Sequence, residues 1–132
     1  MTPDSAREDV NSPDWAVRRD AARTLGALLP AEDALAALTA LLGDGDTAVQ
    51  QEAAESLARF GGRAGLAAVL EELGRRAEDG DADYLAYRLR ELQIFEQQPI
   101  LQTAREMLVA LTADGRSGLE QLEQLFGAEF PA

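Results

Sequence analysis

The chain has 132 residues, with 24 acidic side chains against 12 basic ones, all of them arginine, and a formal net charge of −12. It contains no lysine, histidine or cysteine. Those absences exclude disulfides, thiolate metal sites, Schiff-base amines and imidazole bases, and the charge repels phosphate backbones and anionic lipid.

Residues 1–10 are polar. Thr2-Pro3-Asp4 carries the cap, proline and acid that begin a helix, so this stretch reads as a short leading helix or a frayed tail. It lacks the basic-then-apolar order of a signal peptide, and no run in the chain approaches the ~20 apolar residues of a membrane span. A cytoplasmic protein is expected. Abundant Ala, Arg and Gly without lysine is the bias of a GC-rich bacterial genome.

Ser12-Pro13-Asp14 opens the first repeat helix, with Ser12 as its cap, and that helix runs to about Leu28 or Leu29. After Pro30, a second helix from about Ala31 to Leu42 carries Leu35, Leu38, Leu41 and Leu42. Asp44-Gly45-Asp46 starts the third, with Asp44 as the expected cap and Asp46 adding charge at the positive helix end. Val49, Ala53, Ala54, Leu57 and Phe60 then form one apolar stripe, and Gly61-Gly62 ends it. Val17, Ala21, Ala22 and Leu25 stand 32 residues before the first four of these, which makes the chain a repeat protein.

A fourth helix is expected from about Arg63 to Glu78, with Leu66, Val69, Leu70 and Leu73 inward. Asp79-Gly80-Asp81 repeats the earlier aspartate turn at an offset of 35. On that offset Tyr84, Leu89, Leu92 and Phe95 take the places of Val49, Ala54, Leu57 and Phe60, while Arg88 falls where Ala53 packs. The third copy therefore reads as degenerate. Pro99 begins the next helix, with Leu101, Ala104, Met107, Leu108 and Leu111. Asp114-Gly115 precedes a last one with Leu119, Leu122, Leu125 and Phe126, onto which Phe130 folds back. No stretch alternates apolar and polar residues, so no strand is expected. The pattern predicts an all-α, right-handed α-solenoid in one domain, 1–132. Its repeats lie at about 12–42, 44–78 and 79–113, with a C-terminal cap at 114–132.

The paired helices, the aspartate-rich turn and the pattern Asp-x-x-Val-Arg-x-x-Ala-Ala-x-x-Leu resemble a HEAT repeat of the short bacterial kind, also found in phycobilin lyase subunits. The resemblance covers about residues 11–112. It implies a fold and a habit of protein binding, and no reaction. It also implies that the arginine after the valine pairs with acids of the neighbouring repeat. Arg18 holds that place in the first copy, while Gln50 and Leu85 stand there in the others.

Catalytic chemistry finds few candidates. Ser5, Ser12, Ser56 and Ser117 lack a usual base, and adjacent acids such as Glu71-Glu72 point about 100° apart on a helix. Neither catalytic residues nor a cofactor are expected. Asp79-Gly80-Asp81-Ala82-Asp83 opens like a calcium loop, but Tyr84 and Arg90 stand where an EF-hand needs glycine and glutamate, so it reads as a helix cap with no metal. Arginines at 18, 19 and 23 and at 75 and 76 sit among acids, with Glu71–Arg75 and Glu72–Arg76 expected as exposed helix pairs. Nucleic acid is not an expected partner, nor is a membrane.

Trp15 stands in the first turn of the first repeat helix, either stapled against Val10 or Met1 or exposed as an anchor for a partner. The second helix of each pair is expected to line a concave face. That face would present Ala36, Thr39 and Ala40, then Glu71, Glu72, Arg75 and Arg76, then Gln102, Arg105, Glu106 and Val109. The expected function is a non-catalytic protein–protein interaction module, an adaptor or an inhibitory, immunity-type partner of a basic protein, monomeric when free. The alternative is a catalytic or accessory part of a lyase-like enzyme.

Overall fold

Short aspartate turns decide where the long helices begin. In the computed structural model, described over residues 2–131, there are eight α-helices and no strand among the described residues. They are α1 (Pro3–Asp9), α2 (Trp15–Gly26), α3 (Glu32–Leu41), α4 (Thr47–Phe60), α5 (Gly62–Arg75), α6 (Asp83–Glu96), α7 (Ile100–Glu106) and α8 (Ala113–Phe126). The leading segment is helical, with Thr2 and Ser5 forming a reciprocal cap.

The caps differ from expectation by two residues. Asp14 and Asp46, not Ser12 and Asp44, accept the first free N–H groups of α2 and α4, from Ala16 and Ala48. Ser12 and Asp44 stand one step back and accept from the N–H of Asp14 and Asp46. A side chain reaches an N–H two residues on more readily when its own backbone is still extended, and that position falls to the second acid.

Helices α2, α4 and α6 lie side by side as an outer row, and α1 covers α2. Ala21, Ala22, Leu25, Val49, Ala53, Ala54 and Leu57 are completely buried. The small residues let α2 and α4 approach closely, and Ser56 Oγ donates to the Ala22 carbonyl at 3.0 Å across that junction. Phe60, placed on the same stripe by periodicity, is instead 54% exposed. It lies at the last turn of α4, where only the end of α2 at Gly26 stands beside its ring.

The third copy is shifted by one residue from the expected register. Helix α4 buries positions 49, 50, 52, 53, 54, 56 and 57, and α6 buries 85, 86, 89, 92 and 93, each of them 36 residues after a buried position of α4, while Arg88 and Arg90 take the places of Glu52 and Ala54 and are only partly buried. The extra residue is absorbed in a 3-10 turn, Gly80–Ala82, which Asp79 caps by accepting from Asp81 N–H. Tyr84 therefore does not take the place of Val49, and Tyr84, Tyr87 and Phe95 are all exposed. Leu85 packs there instead, and Arg88 falls at the place of Glu52, a charged position already.

The inner row also departs from expectation. Helix α8 lies along α5, while α7 is short and makes smaller contacts with α5, α6 and α8. The α7 segment stops at Glu106 and turns through a 3-10 segment, Leu108–Ala110, whose side chains face solvent, so Leu108 is not a core residue. Two glycines permit the α5–α8 crossing. A Cβ on Gly74 would stand 1.7 Å from the Asp114 carbonyl oxygen, and one on Gly118 would stand 2.0 Å from that of Leu70. Phe130 returns to Phe126, edge to face at 6.1 Å between ring centres.

Candidate protein-binding surface

Charge on this molecule is distributed unevenly between paired and free groups. Eleven of the arginines bridge to carboxylates, and the remaining one, Arg116, donates to the carbonyls of Leu108 and Val109. The positive charge is thus spent inside the protein. The surplus is carboxylate, and it includes Glu78, Asp81, Asp83 and Glu91 on and before α6, none of which has an arginine partner among the described residues.

Arg18 behaves as the repeat pattern requires. Its Nε and Nη2 grip Asp44 at 2.8 and 3.0 Å, and Nη1 donates to the Ser12 carbonyl at 2.9 Å. In the next copy Gln50 has replaced the arginine, and Arg76 arrives from the end of α5 to fill the gap. Its Nη1 donates to the Leu42 carbonyl at 3.1 Å and to Gln50 Oε1 at 3.3 Å, and its Nε to Asp79 at 3.1 Å. The Asp81 N–H, and after it the Arg76 guanidinium, hold the Asp79 carboxyl below the usual aspartate range.

The residues expected on the inner face divide accordingly. Glu72 is only 8% exposed and bridges both Arg75 and Arg76, so it is not an exposed surface residue. Arg76 is largely buried with it. Glu71 does not pair with Arg75 but accepts from Thr112 Oγ1 at 2.9 Å. Arg105 is tied to Glu123 and to the Phe130 carbonyl. Gln102, Arg75 and Glu106 remain at the surface, Glu106 bridged to Arg63 at 2.8 Å, and Ala36 and Ala40 are exposed on α3. Between α5 and the turn into α8 a groove of about 270 Å³ is floored by Ala64 and Ala67 and walled by Met107 and Thr112. Val109, 89% exposed, stands outside that lining.

Trp15 is 44% exposed on α2, and the Arg19 guanidinium, one turn on, covers its ring at 5.1 Å. Any contact with Met1 lies outside the described residues. Among the described residues no group of three or more metal-ligating side chains converges, and no helix is long and apolar enough to cross a membrane.

Stacked antiparallel pairs, an aspartate turn between them and an arginine gripping the next turn's aspartate are accompanied by a sequence match. HEAT repeats match residues 6–93, two thirds of the chain. The chain belongs to the HEAT-repeat family. No curated protein and no solved structure matches it. The HEAT match ends at Gln93, within α6, so the glycine-mediated seat of α8 on α5 lies beyond it.

One surface of the HEAT stack escaped the sequence reading. Tyr87 of α6 and Gln121 and Leu125 of α8 share a groove of about 330 Å³. The one-residue shift conceals it, because on an offset of 35 Tyr84 points into the core. The spacing Tyr84-x-x-Tyr87, with acids at 81, 83 and 91, is the signal that could have found it.

Proposed function

We propose that this HEAT-repeat chain is a non-catalytic protein-binding module whose acidic surface receives a basic protein. The observation that carries the reading is the internal use of its arginines, which leaves carboxylates as the free charge of the surface. HEAT repeats commonly mediate protein–protein interaction, which supports the same conclusion. The inner-row residues still open to a partner are Glu71, Arg75, Gln102 and Glu106, and on the outer row Trp15 offers an aromatic anchor. Opposite charge contributes mainly to encounter rate and partner choice, so binding should weaken steeply with salt.

Affinity capture from the native host, read by mass spectrometry at two salt concentrations, tests this reading. Basic proteins retained at about 0.1 M salt and released near 0.5 M support it. Neutral or acidic partners, or retention independent of salt, would remove the basic-partner assignment.

A further inference from the structure

The α6–α8 groove differs in charge from four other grooves of the molecule. Four other grooves each include arginine in their lining: Arg63 in two of them, Arg105 and Arg116 in a third, Arg59 and Arg88 in the fourth. The α6–α8 groove has none. Its apolar wall is Ala77, Ala86 and Leu125, its aromatic wall Tyr87, and its one charge Asp83.

Every polar group in this lining can accept a hydrogen bond. Asp83 has neither an arginine partner nor a side-chain hydrogen bond among the described residues. Gln121 gives its amide N–H to the Leu73 carbonyl at 2.9 Å, which leaves its amide oxygen to accept. Tyr87, half exposed, presents a π-face of the kind that attracts guanidinium and ammonium groups. Glu78 follows Ala77 and Asp81 precedes Asp83 by two residues, so two further exposed acids stand next in sequence to the lining, while Arg90, one turn beyond Tyr87, is bridged to Glu129 at 3.0 Å. The positive end of the α6 dipole would oppose a cation here, but Asp81 and Asp83 stand at that end and offset it.

From this geometry we infer that the α6–α8 groove is the seat of an arginine or lysine side chain from a basic segment of a partner protein. A helix, about 10 Å across, does not fit in such a volume, whereas one long side chain does. The stem lies against Ala86 and Leu125, and the cationic head meets Tyr87, Asp83 and the Gln121 oxygen. This inference rests on the basic-partner reading and adds the place where the partner is gripped.

The test uses the full chain, isotope-labelled, with three synthetic sixteen-residue probes: an arginine-bearing peptide, its arginine-to-citrulline analogue and an acidic peptide. Amide shifts concentrated at Ala77, Asp83, Ala86, Tyr87, Gln121 and Gln124 are expected with the first probe and not with the others. Tyr87→Ala should weaken that binding about tenfold, Tyr87→Phe should restore it, and Asp83→Asn should weaken it about fivefold. Circular dichroism of each variant guards against unfolding, and Glu8→Gln, an exposed acid on α1 away from the groove, serves as the control that leaves binding unchanged. Saturable binding of the arginine peptide elsewhere on the chain would overturn the groove and leave the basic-partner reading standing. Shifts spread evenly over all the acids, or equal binding of the citrulline peptide, would also overturn the groove. No binding of the arginine peptide anywhere would remove both.

Discussion

At the α2–α4 junction Arg23 of the earlier helix reaches forward to Glu52 at 3.0 Å, whereas at the α4–α6 junction Arg88 of the later helix reaches back to Glu55 at 2.6 Å. Glu55 stands 32 residues after Arg23, and Arg88 stands 36 after Glu52, so both pairs occupy equivalent places with the charges exchanged. The first junction is closed by alanines and a serine, the second by leucines with a bulkier arginine at the rim. A solenoid can therefore keep one architecture while each junction reaches complementarity in its own way, because each helix pair answers only to its neighbours.

The largest effect should come from a charge placed in either junction. Leu57→Asp in the first and Leu85→Asp in the second should each destabilise the protein by about 4 kcal/mol or more, since both sites are completely buried. Tyr84→Asp should cost about 0.5 kcal/mol or less. Thermal melts followed by circular dichroism decide between them. Equal losses at positions 84 and 85 would break the 36-residue register and with it the comparison.

Next in size is the crossing outside both junctions. Gly118→Ala forces a methyl group against the Leu70 carbonyl and should cost about 2–3 kcal/mol. Hydrogen exchange should then quicken in α8 and the end of α5 while α2 and the start of α4 keep their protection. Uniform quickening along the chain would mean that α8 and the two junctions unfold as one unit.

Arg76→Ala should cost about 2 kcal/mol, because it strips a partner from buried Glu72 and from the Leu42 carbonyl together. Double-mutant cycles on the two exchanged pairs come after it. A coupling of about 1 kcal/mol is expected for Glu55–Arg88, whose arginine side chain is 23% exposed, and about 0.3 kcal/mol for Arg23–Glu52, where it is 65% exposed. The opposite ranking would show that junction packing, not solvent screening, sets the strength of these pairs.

The smallest effect is one of pH. Asp79 is held below the ordinary aspartate range when folded, so its contribution is present above the unfolded value near 4 and is lost as pH falls through the folded one. Titration by NMR should place Asp79 below the ordinary aspartate range. Arg76→Gln should bring it part of the way back, the Asp81 N–H accounting for the larger share.

The helices and the buried stripes of α2 and α4 were legible because their signals are local: an aspartate cap, then apolar residues three and four apart. The third copy was misaligned because Asp79-Gly80-Asp81 matches the earlier turn by composition, while packing answers to where the helix starts, and that is one residue later. The burial of Glu72 was hidden for another reason. Its partner Arg76 is held by Leu42 and Gln50, 34 and 26 residues away, and nothing in the local pattern announces those bonds. Of the inner face, Ala36 and Ala40 lie where periodicity put them, but the place of α8 against α5 depends on Gly74 and Gly118, whose close approach to a distant backbone no local pattern announces.

Successive residues of a helix are turned by about 100°, so lengthening the turn before α6 by one residue rotates every side chain that follows relative to the stack. That rotation directs Leu85 inward and Tyr84 and Tyr87 outward. Turn length in such an array thus works as a dial that chooses which side of a helix the outside world meets.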